Sequence, residues 1–359
     1  MLLHTDIRIA PKVFIVSMFS REQDIWAHNP QFNIFAQAIA IPGLSPLFPH
    51  VHCTQDGSVC ELVTGAGEIN SAVTMTSLLF SKTAQSMFDF RKTYFLIAGV
   101  AGGNPEHVTL GSVTFARFAV QVTLQYEIDA REIPKDFPTG YMPLGVRPPD
   151  IFNVFPPILY GTEVFEVNDN LRQVAYGLTK NATLHDNTIA QAYRANYGLD
   201  NRFIAGSSPP SVALCDTITA DTFWSGNLLA EAFENTTKLF TNGSAVYCST
   251  QQEDNATLEA LLRGAISGLV DFSRIIIMRT ISNFDRPFPS QTAVEGRFAI
   301  QGGFASALAN IQIAGSKVIQ GILDQWNDAF EEGIEPGNYI GDVFGSLERV
   351  SIPLVYPDL

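Results

Sequence analysis

Five short stretches combine glycine, amide and carboxylate groups in ways that could do chemistry on a small polar ligand. Glu22 follows the apolar run KVFIVS (12–17) by five residues, with Arg21 and Asp24 beside it. A carboxylate at the carboxyl end of a strand can act as a general base on water. Standing alone, such a residue is more often a solvated charge. Gln252-Glu253-Asp254 precedes an apolar helical segment. Acidic residues there favour the helix dipole, and the same carboxylate could grip vicinal hydroxyls of a sugar. Ser282-Asn283-Phe284-Asp285 ends a strand too apolar to be exposed, and polar groups at such an end often face a site. Gly65-Ala66-Gly67 joins a strand to a helix, a turn whose N–H groups could cradle an anion or a sugar. Gly99-Val100-Ala101-Gly102-Gly103 would let a ligand or a neighbouring strand approach the backbone closely.

Other chemistries lack their residues. Position 70 is Asn, so Gly65 and Gly67 do not open a dinucleotide fingerprint, and the second glycine run has no Lys and Ser/Thr at phosphate-loop spacing. Neither GxSxG nor HExxH occurs. The six histidines are scattered, and without a CxxC pair a structural zinc site is not expected. No metal or cofactor is expected.

The elements that must hold these residues can be read from the apolar pattern. Residues 12–17 read as a buried first strand. Cys60 to Phe80 reads as strand, glycine turn and helix, Thr93 to Pro105 as a strand ending in glycines, and Gly111 to Asp129 as one or two β-branched strands. VFEVNDNLRQVAYGLTKNAT reads as a strand then a helix, Ser273 to Asp285 as a central strand, and residues 304–330 as one long helix. Strands alternating with helices predict an α/β fold, a mixed central sheet flanked by helices. In such folds ligands sit at the carboxyl ends of strands, which gathers the glycine, amide and carboxylate stretches around one crevice. Pro134 to Pro157 reads as an irregular loop or flap.

The 359 residues carry 36 Asp and Glu against 22 Lys and Arg, a formal charge of −14. A nucleic-acid partner would need a basic stripe, and this balance argues against one. The most apolar candidate span, Gly302 to Leu323, contains Asn310, Gln312, Lys317 and Gln320, so no transmembrane segment is expected. Met1 to Lys12 lacks a long apolar stretch, and no signal peptide is visible. Four N-x-[ST] sequons, at Asn181, Asn235, Asn242 and Asn255, nevertheless hint at a secreted or cell-surface location. Cys53 and Cys60 suit a small disulfide loop in an oxidising compartment. Cys215 and Cys248 read as a second pair or as buried thiols.

IAGVAGGNPEHVTLGSVTFAR resembles the glycine-rich strand of the nucleoside phosphorylase/nucleosidase superfamily. QYEIDAREIPKDFPTGYMPLG, TADTFWSG, QQEDNATLEAL and RTISNFD are similar, more specifically, to the fungal and bacterial purine nucleoside permease family. The match covers about residues 11–330, a nucleoside phosphorylase-like domain, and leaves 331–359 as a C-terminal extension. The family name describes transport, whereas its fold resembles enzymes that cleave N-glycosidic bonds.

The resemblance implies roles. Glu22 would orient an attacking water. Glu253 would bind the ribose 2′- and 3′-hydroxyls, with Gln252 where the superfamily has a methionine. A longer spacing from Glu253 to Arg279 than in a typical nucleosidase leaves a rival alignment in which Glu259 takes that role. Phe223 would stack on the purine, with Phe19 beside it, and Gly102 lies on the glycine-rich strand next to the ligand. Asn283 stands where nucleosidases carry an aspartate that protonates purine N7. An amide can hydrogen-bond N7 but cannot deliver a proton, so Asp285 is an alternative acid. Phosphorylases of the hexameric type carry an arginine just before this glycine run; here Leu96-Ile97-Ala98-Gly99 offers no cation, and a −14 protein would hold phosphate poorly. Arg21 or Arg117 could still reach in. The expected function is binding of a purine nucleoside (adenosine, guanosine or inosine) with hydrolytic cleavage, by a homodimer. The alternatives are a non-catalytic component of nucleoside uptake and a phosphate-dependent phosphorylase.

Overall fold

The computed structural model describes residues 8–27, 29–147 and 154–348. Val13–Ser17 is wholly buried and lies parallel between Val59–Val63 and Tyr94–Gly103. Ile275–Phe284 runs parallel along the other side of Tyr94–Gly103. These strands are apolar at nearly every position because both faces of the sheet are covered. The alternation still sorts the side chains. Phe14, Val16, Phe95, Ile97, Ile275 and Ile277 enter one core. Val13, Ile15, Leu96, Ala98, Ile276 and Met278 enter the other. The helices Glu68–Phe80 and Asp254–Ile266 supply Met75, Leu78, Leu258 and Leu261 to the first core, and Gly303–Asp324 supplies Ile311, Val318 and Ile322 to the second.

Antiparallel strands complete a mixed sheet of 13 strands among the described residues. Tyr247–Gln251 pairs antiparallel with the glycine end of Tyr94–Gly103, Ser249 opposite Gly103 and Thr250 opposite Gly102. Asp216–Thr219 lies parallel to Tyr247–Gln251. The expected mixed α/β sheet is therefore the observed one.

Several details differ from the sequence reading. The long C-terminal helix stops at Asp324 and continues as a wider π-helical turn over Trp326–Phe330. Within the segment read as an extension, Gly341–Asp342 pairs antiparallel with Val164–Glu166 at the sheet edge. The proline-rich flap contains Tyr141–Pro143, paired with Gln125–Glu127 as a small separate sheet; residues 148–153 of it lie outside the described residues. The disulfides follow the reading instead: Cys53 is joined to Cys60 as expected, and of the two alternatives for Cys215 and Cys248 the second pair is the one formed. Asn181, Asn235 and Asn242 are exposed. Asn255 is 2% exposed and its Nδ2 donates to the Thr162 carbonyl at 2.7 Å, so this sequon is unavailable in the folded chain.

Candidate active site

The carboxyl ends of the parallel strands open onto one cavity. Its lining includes Phe19, Glu22, Gly102, Phe223, Glu253 and Asn283. Six of the seven expected site residues are thus gathered in one place, from segments more than 250 positions apart in sequence.

Glu22 sits in the first turn of the helix Ser20–Ala27, immediately after the first strand. It is 1% exposed. Its Oε2 accepts the N–H of Met18 at 2.7 Å and its Oε1 the N–H of Val100 at 2.7 Å. Burial pushes its pKa up to about 7, against the opposing pull of the Arg279 guanidinium and the two N–H groups. Gly99 makes this approach possible. A Cβ there would lie 2.6 Å from Nη1 of Arg279 and 2.7 Å from Oε1 of Glu22, inside any permitted contact.

Glu253 precedes the helix Asp254–Ile266 and is 4% exposed. The Gly67 N–H donates to its Oε1 at 3.0 Å. Gly67 has φ +88, the left-handed region that favours glycine, and this turns its N–H toward the carboxylate. Oε1 of Gln251 accepts the N–H groups of Glu253 and Asp254 at 2.7 and 2.8 Å, which fixes the start of the helix. Burial raises the Glu253 pKa while Arg279 opposes it. Gln252 also lines the cavity, its Nε2 donating to the Asp221 carbonyl at 2.6 Å. Glu259 lies elsewhere, paired with Arg263 one helical turn on at 2.6 Å; it does not line the cavity, so the rival alignment finds no geometric support.

The rest of the lining is aromatic and amide-bearing. Asn283 accepts the Ser282 hydroxyl at 2.9 Å and its Nδ2 donates to the Phe284 carbonyl at 3.3 Å. A Cβ at Gly102 would lie 2.4 Å from Oγ1 of Thr250 and 3.2 Å from Nδ2 of Asn283, so the glycine leaves those two side chains their room. The Phe223 ring is 52% exposed, with the Arg297 guanidinium 4.0 Å above it. The Phe19 and Phe304 rings stack with centroids 6.3 Å apart.

Asp285 stands apart from the other candidates, because it does not line the cavity. It is 1% exposed; its carboxylate accepts from Nε of Arg286 at 3.0 Å and from the Tyr247 hydroxyl at 2.7 Å. Tyr247 in turn accepts from Nε1 of Trp224 at 3.1 Å, and Trp224 does line the cavity, next to Phe223. Asp285 is placed to brace the aromatic wall rather than to face a ligand.

Sequence reasoning missed Arg279. Its register partner across the sheet is Gly99. The glycine-rich strand carries no cation, as expected, but its neighbour brings one into the cavity floor. Arg279 is 1% exposed and paired through Nη2 with Asp254, with Oε2 of Glu253 3.6 Å away; its Nη1 donates to the Val100 carbonyl at 3.3 Å. The signal was an arginine inside the apolar run IIIMRTI, since a buried guanidinium must find carboxylates. Its charge is already matched by Asp254 and Glu253, so it orders the acidic side chains and leaves no unspent cation. Arg117 pairs with Glu166 away from the cavity, and Arg21 does not line it. Among the described residues, no group of three or more metal-type ligands gathers.

The fold is shared with solved nucleosidases. The 5′-methylthioadenosine/S-adenosylhomocysteine nucleosidase of Neisseria meningitidis aligns with a TM-score of 0.50 at 12% identity, covering 87% of this chain and 99% of that one. The futalosine hydrolase of Helicobacter pylori aligns with a TM-score of 0.51 at 14% identity, covering 87% and 98%. At such identities the likeness is one of fold, and it defines the class: a nucleoside phosphorylase-like α/β protein. The family is narrower. Residues 10–335 match the family model described as purine nucleoside permease (NUP). A Candida albicans purine nucleoside permease is 45% identical over 344 residues, 94% of this chain and 81% of the relative. A probable purine nucleoside permease of Schizosaccharomyces pombe is 36% identical over 323 residues, 88% and 90%. The chain belongs to the purine nucleoside permease family. No helix among the described residues is long and apolar enough to cross a membrane.

Proposed function

We propose that the protein binds purine nucleosides in this cavity and hydrolyses their N-glycosidic bond. One observation carries the reading: Glu22, buried and held by two backbone N–H groups with its pKa near 7, shares the cavity with the carboxylate of Glu253 and with the aromatic and amide side chains of Phe223 and Asn283. A group poised near neutrality is suited to general-base work.

In this reading Glu253 accepts from the ribose hydroxyls while Phe223 and Asn283 hold the base. Glu22 takes one proton from water as its oxygen bonds to the anomeric carbon. The C–N bond breaks and its electron pair leaves on the purine. The amide of Asn283 donates a hydrogen bond to N7 and stabilises the developing charge, and solvent protonates the departing base. Most of the acceleration comes from positioning and from fixed dipoles. Phosphate is disfavoured as nucleophile, because Glu22, Glu253 and Asp254 surround the single guanidinium of Arg279.

Asn283 supports a second reading. A site whose amide cannot deliver a proton also suits a binding protein that assists nucleoside uptake, in keeping with the family name. Incubating the protein with inosine or adenosine, with and without phosphate, separates the cases. Free ribose without phosphate supports hydrolysis. Ribose 1-phosphate formed only with phosphate means phosphorolysis, and tight binding without product means a binding component. The homodimer and the secreted or cell-surface setting belong to the same proposal; two disulfides and three exposed sequons support the setting.

A further inference from the structure

The cavity does not end at Asn283. A groove of about 710 Å³ opens from it, and the two share Val100, Phe223, Ser282 and Asn283. Its outer wall is apolar: Ile189 is 55%, Ile300 83% and Phe304 44% exposed. Phe304 also stacks on Phe19 of the inner cavity, so the apolar surface is continuous from one space to the other. Exposed apolar side chains gathered along a groove mark a place where something binds.

The shared residues give the groove a direction. Three of the four, Phe223, Ser282 and Asn283, belong to the aromatic and amide part, and Val100 lies on the floor beside Glu22; Glu253, Gln252 and Ala66, which line the inner cavity around the carboxylate proposed for the sugar, do not reach the groove. A substituent entering the groove is therefore carried on the base and not on the sugar. On a purine, N7 and the group at position 6 lie on the same edge. A base held at N7 by Asn283 turns that edge toward the groove.

We propose that the groove is a second part of the ligand site, receiving a flat apolar substituent at the purine 6-position. The ligand class is then 6-substituted purine nucleosides rather than unsubstituted ones alone. The proposal rests on the nucleoside reading of the inner cavity. Flat substituents are favoured because the lining includes Phe304, Ile300 and Ile189 among its polar residues, and because the Arg297 guanidinium over Phe223 offers a cation to a ring.

The test compares adenosine with N6-benzyladenosine by calorimetry on the full chain, using Glu22→Gln so that neither is consumed. The benzyl compound is expected to bind at least tenfold tighter. A double variant, Ile189→Asp with Ile300→Asp, should abolish that gain and leave the adenosine Kd within about twofold. Both side chains are exposed, so the core stays packed. Benzyl affinity equal to or below that of adenosine, or a gain that survives the double variant, overturns the proposal while the nucleoside reading stands. If the double variant instead turns a dimer into a monomer in sedimentation, a second copy of the chain covers the groove and the proposal falls. If neither ligand binds, both readings fall together.

Discussion

Oε1 of Glu22 accepts the N–H of Val100 at 2.7 Å, a bond that ties the first helix to the glycine strand across the cavity floor. Together with the Met18 bond to Oε2 it engages both carboxylate oxygens while burial makes ionisation costly. In the proposed hydrolysis the base form is the deprotonated one. Below pH 7 the carboxyl is mostly protonated and cannot take a proton, so kcat/KM should climb between about pH 6 and 8 with an apparent pKa near 7. Glu22→Gln should remove the rise and lower the rate by roughly 10²–10⁴-fold. A flat pH profile for the wild type would refute the assignment.

Gly99→Ala offers an independent check on the same relationship. The added methyl meets both Glu22 and Arg279 inside contact distance. Activity should fall at least about 100-fold, since small misplacements at a reacting centre carry penalties of that size. Thermal unfolding would show whether the loss is confined to the site.

Glu253 and Glu259 should separate cleanly in ribose recognition. Glu253→Gln is expected to weaken nucleoside binding by roughly 10–100-fold, the scale of a charge-assisted hydrogen bond. Glu259→Gln loses only an exposed pairing with Arg263 and should change affinity less than twofold. Equal effects would return the sugar role to dispute.

Tyr247→Phe removes the hydroxyl that links Asp285 to Trp224 and leaves the ring in place. The aromatic wall should loosen. KM for a purine nucleoside is expected to rise about tenfold, the worth of roughly one buried hydrogen bond, with kcat nearly unchanged. A fall in kcat at constant KM would point instead to a chemical role for Asp285.

Glu61 supplies a prediction on stability. It is fully buried, accepts from Nε2 of Gln23 at 3.0 Å through one oxygen and has the Ser17 hydroxyl beside its carboxyl. Burial pushes its pKa up to about 7. A carboxyl raised in the folded state stabilises the fold below its unfolded value of 4.5, and that contribution is lost as pH rises through about 7. Glu61→Gln should therefore match the wild type near pH 4 and exceed it by about 3 kcal/mol at pH 8. Denaturant curves at the two pH values would decide it, and a variant less stable at both would contradict it.

Much of this was legible in the chain. Apolar runs bounded by glycine located the central strands, and the rule that ligands sit at strand ends brought Glu22, Asn283 and the glycine turns to one crevice. What was not legible depended on register. Arg279 enters the cavity because it lies opposite Gly99, a pairing no local pattern encodes. Asp285 and Asn283 are two positions apart, yet one is held among Arg286 and Tyr247 and the other lines the cavity. The fourth sequon looked like the other three, and only the packing of Asn255 against Thr162 and Thr219 takes it out of reach.

The bridge between Cys215 and Cys248 has a bearing on recognition as well as on folding. Cys215 directly precedes the strand that leads to Phe223, and Cys248 lies on the strand that leads to Glu253. The covalent link therefore fastens the starts of two strands that the sheet already holds side by side, so the segments that end at Phe223 and Glu253 leave a common, doubly anchored root.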